Sequence, residues 1–116
     1  MNRELSITSN VLAELCRLDK AIRRRRAATG EKPFMDLLDV DPDYLEIRRT
    51  IKSFSQEQRR ELAALIWLGK RYYSTFTEAY DRARKFDHDP GFVNYLADRK
   101  MYEALEHGIE ILESSE

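Results

Sequence analysis

Residues 61–73 of this chain, ELAALIWLGKRYY, contain an unbroken apolar run from Leu62 to Leu68 that is closed by a glycine, two cations and two tyrosines. Such a run limits what can be built around it. It is far shorter than the ~20 residues a helix needs to cross a bilayer. The Gly69-Lys70 pair lacks the earlier glycine, the following Ser or Thr and the preceding strand of a phosphate-binding loop, so no ring of backbone N–H groups can close on a phosphate. A helix that is apolar on nearly all sides has to be surrounded by its neighbours. Residues 56–70 therefore read as the central helix of a bundle, opened by Ser55 and Gln58 placed as a capping box.

The neighbours follow from helical spacing elsewhere. Val11, Leu15, Leu18 and Ile22, widened by Leu12 and Cys16, predict an amphipathic first helix over about residues 10–26. An irregular connector is expected over 29–40. Asp41 and Pro42 then offer an N-cap and a first-turn proline to a second helix, with Tyr44, Ile47, Ile51 and Phe54 on its inner face. Thr75 and Glu78 repeat the capping box ahead of a fourth helix with Phe76, Ala79, Tyr80 and Ala83 on one side. Asp89-Pro90 opens a short turn carrying Phe92, Tyr95 and Leu96. Asp98 is placed to cap a last helix whose core stripe is Tyr102, Leu105, Ile109 and Leu112. No alternating stretch is long enough for a strand. The expectation is an all-α, single-domain bundle of about five to six helices over residues 1–116, packed around the helix at 56–70.

The residues Glu61-Leu62, Leu65 and Trp67-Leu68-Gly69, followed by Tyr95-Leu96 and then Tyr102, Leu105 and Gly108, resemble the DUF3775 family, small bacterial proteins described only as a domain of unknown function. The similarity covers about residues 44–113. It implies a bacterial, helical, intracellular protein and brings no activity or cofactor with it. The chain departs from the family pattern after Gly69, where acidic residues are expected and Lys70, Arg71, Tyr72 and Tyr73 stand.

Composition narrows the class further. Of 116 residues, 42% are hydrophobic and 35% charged, with four glycines and three prolines, a balance that suits a folded helical domain and not a disordered one. The single cysteine, Cys16, excludes an internal disulfide and fits a reducing cytoplasm. The opening residues have no apolar run after their charges, so no targeting segment is expected.

Catalysis finds little support. His88 and His107 belong to no ligand spacing. The Asp87-His88-Asp89 triplet aims adjacent side chains in different directions and reads as a solvated turn with Asp89 as a cap. Cys16 lies beside the core stripe and reads as a small hydrophobe. Glu103, Glu106, Glu110 and Glu113 form a solvated helix face. No cofactor and no metal are expected, and the protein is read as a non-enzyme.

Two binding readings stand. Arg23, Arg24, Arg25 and Arg26 close the first helix, where guanidinium groups could grip phosphates, or could simply complement the helix dipole. Together with a loop at 70–73 they make up the nucleic-acid alternative, against which stands a net charge of −1. The preferred reading is protein–protein interaction. Here Gly69 is expected to take a left-handed cap conformation and release Lys70, Arg71, Tyr72 and Tyr73 outward, cations beside phenols being favoured in interfaces. The opposing possibility is that both tyrosines fold back over the bundle. Met101, Leu105 and Ile111 extend the apolar surface of the last helix and suggest a homodimer. Positive charge exceeds negative in residues 1–32 and 59–87 and the reverse holds in 33–58 and 88–116, so the two ends could attract within one copy or between two.

Overall fold

In the computed structural model, which describes residues 5–29, 41–98 and 101–114, every residue from Glu61 to Gly69 is buried. The helix that carries them, α3 (Gln56–Gly69), is opened by Ser55. Its hydroxyl accepts the Gln58 N–H, and the Gln58 side chain accepts the Ser55 N–H in return. The described residues form five further helices and no strand: α1 (Ser9–Thr29), α2 (Pro42–Ser53), α4 (Phe76–Ala83), α5 (Phe92–Asp98) and α6 (Tyr102–Ser114). α3 packs against α4, α5 and α6, while α1 lies on α2 and α6, and α2 reaches α5. The result is the expected all-α single-domain bundle.

Local chemistry explains most of the boundaries. Asp41 caps α2 by accepting the N–H groups of Asp43 and Tyr44, with Pro42 in the first turn. Thr75 and Glu78 close the second reciprocal box at α4. Inward stripes follow the helical period: Leu12, Leu15, Leu18 and Ile22 on α1, Tyr44, Ile47 and Ile51 on α2, Phe76, Ala79, Tyr80 and Ala83 on α4. α1 runs to Thr29, past the expected end near residue 26. Of the connector expected at 29–40, residues 30–40 lie outside the described residues.

Two features of the core differ from expectation. Gly69 is still helical, and its glycine character serves a close helix crossing instead of a left-handed turn. A Cβ there would meet the Ala104 carbonyl oxygen at 1.8 Å, and a Cβ on Gly108 would meet the Leu65 carbonyl oxygen at 2.0 Å. The backbones of α3 and α6 touch because neither position carries a side chain. The inner face of α6 is set accordingly, with Ala104, Leu105 and Gly108 buried and Tyr102, Ile109 and Leu112 only half-buried.

The cap of α6 is also not the expected one. Asp98 ends α5, and its side chain lies outside the described residues. The N–H groups of Met101 and Tyr102 donate instead to Asp19 Oδ2 on α1, at 3.1 and 3.0 Å. Asp19 is 1% exposed, and its other oxygen accepts from Arg23 Nη2 at 3.2 Å. Glu61 does the same for the chain's start: its carboxylate accepts the N–H groups of Ser6 and Ile7 at 2.9–3.1 Å. Buried carboxylates are tolerable only with such partners, and each ties a distant segment to a helix.

Candidate aromatic recognition site

The end of α3 delivers the chain to the surface by a Schellman motif. The Tyr72 N–H donates to the Trp67 carbonyl and the Arg71 N–H to the Leu68 carbonyl, both at 3.0 Å. The left-handed residue this motif requires is Arg71, at φ 64°. His107 on α6 braces the turn. Its Nδ1–H donates to the Gly69 carbonyl at 3.0 Å, which leaves Nε2 to accept from Arg71 Nη2 at 3.4 Å.

Beyond the turn the two tyrosines part. Tyr73 is half-buried and packs tilted on Trp67, with ring centroids 5.8 Å apart, whereas Tyr72 is 63% exposed. Each of the two expectations for this loop therefore holds for one ring. Both rings border a pocket of about 440 Å³, a size usual for ligand sites. Trp67, only 6% exposed, is part of its lining, and its indole N–H donates to the Tyr95 hydroxyl at 3.0 Å. Phe86, from the segment after α4, meets Trp67 edge-on at 6.3 Å, and Phe92 stacks on Tyr95. Arg82, Asp89 and Gly91 complete the lining. Arg82 lies over the Phe86 face at 5.5 Å, and Lys70 over the Tyr72 face at 6.0 Å.

Three large hydrophobic side chains are exposed among the described residues, Leu45, Tyr72 and Phe86, and two of them line this one pocket. The part built from Phe86, Phe92 and Tyr95 escaped the sequence reading. A signal was present: Phe86 follows Ala83 by three residues and prolongs the inward stripe of α4 beyond its last turn.

The other sequence-derived residues fare differently. Met101 and Leu105 are fully buried, so their assignment to an interaction surface is corrected: they are core. Ile111 is half-buried against that core. One opposed pair approaches within one copy, Lys20 Nζ lying 4.0 Å from Glu106 Oε2. Of the apolar surface that suggested a homodimer, Met101 and Leu105 are thus taken up inside a single chain, and Ile111 only in part. Of the four arginines, Arg23 is tied to Asp19, while the side chains of Arg25 and Arg26 lie outside the described residues. Arg24 borders a groove between α1 and α6 that shares no lining residue with the aromatic pocket.

Several titratable groups weighed for catalysis have structural partners. Asp87 is 6% exposed and paired with Arg60, which corrects its reading as part of a solvated turn. Asp89 does hold the turn before α5, its Oδ1 accepting the Gly91 N–H at 2.8 Å. Burial, followed by the negative Glu106 and Asp19, pushes the Cys16 thiol up to about 11, so it is held as a neutral thiol. Among the described residues no three His, Cys, Asp or Glu side chains are grouped to hold a metal, and no helix is long and apolar enough to cross a membrane.

These observations define a small helical bundle that presents an open aromatic pocket beside a braced helix terminus. The chain belongs to the family described as "Protein of unknown function (DUF3775)", whose model matches residues 44–113. The matched segment contains every residue that lines the pocket. No curated protein and no solved structure matches the chain.

Proposed function

We propose that this protein is a non-enzymatic recognition module of the bacterial cytoplasm that binds a segment of another protein in the pocket around Trp67. The observation that carries this reading is the coincidence of exposure and concavity: Tyr72 and Phe86, two of the three exposed large hydrophobics among the described residues, border the same pocket. Exposed aromatic rings around a concave site are the residues that usually dominate protein-recognition energy, because they bury much area while losing few rotamers. The lining offers rings and an indole–phenol hydrogen bond, and no nucleophile paired with a base, which suits binding better than turnover.

Panning a randomised peptide display library on the immobilised protein tests this. Peptides enriched on the wild type should bind the doubly substituted Tyr72→Ser, Phe86→Ser protein at least about tenfold more weakly, while its circular dichroism stays unchanged. Tyr72 is mostly exposed, whereas Phe86 is 40% exposed and meets Trp67 edge-on, so circular dichroism is the control for folding. Absence of enrichment, or equal binding to both proteins, would remove the proposal.

A further inference from the structure

We infer that the segment recognised by this pocket is acidic as well as aromatic: a large apolar ring entering the pocket, with carboxylates beside it that meet Arg82 and Lys70. This rests on the protein-recognition reading above and specifies its partner.

Several cations elsewhere on the molecule meet carboxylates. Arg17 is paired with Glu14, Lys20 with Glu106, Arg23 with Asp19, Arg60 with Asp87 and Arg84 with Asp81. Arg82 and Lys70, like Arg48 over Tyr44, are placed otherwise. Among the described residues each lies over an aromatic face, Phe86 at 5.5 Å and Tyr72 at 6.0 Å, and neither has a carboxylate partner. A guanidinium lying over a ring keeps its in-plane N–H donors directed outward, ready for a bidentate carboxylate.

The same arrangement argues against a cationic occupant. An aromatic cage attracts ammonium groups through its ring faces. Here two of those faces already carry the protein's own cations, so an incoming ammonium would meet like charge. Asp89, the one carboxylate of the lining, has one oxygen taken by the Gly91 N–H. With Arg82 and Asp89 in the lining and Lys70 beside it over Tyr72, these three groups leave an excess of one positive charge, next to rings on which an apolar body can pack. Electrostatic complementarity of this sort sets which partner is accepted and how fast it arrives.

The test uses three blocked six-residue peptides and ¹⁵N-labelled full-length protein, read by amide and indole chemical shifts. One peptide has a phenylalanine flanked by glutamates, the second has lysines in place of the glutamates, and the third has alanine in place of the phenylalanine. The first should shift the Trp67 indole signal and bind about fivefold or more tightly than the second at low salt, with the gap narrowing at high salt. The third should not shift the indole. In an Arg82→Glu, Lys70→Glu protein the order of the first two should reverse. Arg82 lines the pocket and Lys70 lies over the ring of Tyr72 at its edge, and circular dichroism of the double variant controls for folding. If the lysine-flanked peptide binds the wild type equally well or better, the acidic preference is overturned while protein recognition stands. If none of the three moves the indole, both fail. If free indole-3-acetate binds more tightly than the first peptide, the site belongs to a small aromatic acid and the peptide assignment is overturned.

Discussion

Replacing Gly108 by alanine should destabilise the protein even though alanine is the better helix former. The new Cβ would stand 2.0 Å from the Leu65 carbonyl oxygen and 2.9 Å from its carbon, both backbone atoms of α3. No side-chain rotation relieves such a contact, so α3 and α6 must separate by about 1 Å, enough to forfeit a quarter to a half of each dispersion contact across the seam. A buried leucine makes some 40–60 such contacts of about 0.1–0.2 kcal/mol each. Taking Leu65, Leu68 and Leu105, all within 2% of full burial, and about a third of their contacts as crossing between the helices, the loss is about 2–4 kcal/mol. The helix propensity of alanine over glycine offsets about 1 kcal/mol of this. The net expectation is a loss of about 1–3 kcal/mol, or a fall of about 1 M in the urea midpoint. Equilibrium unfolding followed by Trp67 fluorescence and by far-UV circular dichroism measures it. Gly91→Ala is the control, since a Cβ there meets only a side-chain oxygen of Asp89 at 3.3 Å and should change stability by less than about 0.5 kcal/mol. A Gly108→Ala protein as stable as the wild type would refute the close crossing.

Other outcomes can be stated alongside. Arg71→Gly relieves a left-handed residue at φ 64° and should stabilise the fold by about 0.5–1 kcal/mol, less whatever the long contact to His107 contributes; a destabilised variant would mean that contact outweighs the backbone strain. Asp19→Ala leaves the Met101 and Tyr102 N–H groups without their acceptor and Arg23 without its carboxylate, and should cost about 3–5 kcal/mol. Hydrogen exchange should accelerate first at those two amides, and uniform acceleration would argue against a local cap. Cys16, with its pKa raised to about 11 by burial first and by Glu106 and Asp19 next, should react with a thiol reagent at pH 8 far more slowly in the native protein than in urea. By the same shift, the thiol's contribution to stability is present below the unfolded-state pKa and is lost as pH rises toward 11, so the urea midpoint should fall above about pH 9.

What the sequence made legible was local. Capping boxes at Ser55 and Thr75, the Asp41-Pro42 start and the inward stripes of α1, α2 and α4 depend on residues within one or two turns of each other, and all are present. What it hid depends on partners far apart in the chain. Asp19 reads as one more charge on an amphipathic helix until residues 101 and 102 are brought to it, and Glu61 reads as the polar start of an apolar run until residues 6 and 7 arrive. Gly69 carried a second ambiguity, since a glycine near a helix end serves a left-handed turn or a close approach equally well. The approach won because Gly108 lies opposite, and the turn fell to Arg71. Met101 looked surplus because the inner face of α6 was placed along Tyr102, Leu105, Ile109 and Leu112, whereas the buried set is Met101, Ala104, Leu105 and Gly108. For the site, Tyr72 and Tyr73 were within reach of sequence reasoning, while Phe86, Phe92 and Tyr95 join them only through the packing of α4 and α5 on α3.

The cap that α1 lends to α6 bears on how the family's sequence should be divided for study. The segment that carries the family signature, residues 44–113, begins after α1 has ended. Excised by itself it would lose the carboxylate that accepts the first amides of α6, along with the side chains of Leu15, Leu18 and Ile22 from the core, and Glu61 would be left buried without the N–H groups of residues 6 and 7. The stretch recognisable by descent is therefore smaller than the stretch that melts as one, and a relative trimmed to the signature alone should behave as a loosely packed helical fragment whose aromatic pocket has lost its frame.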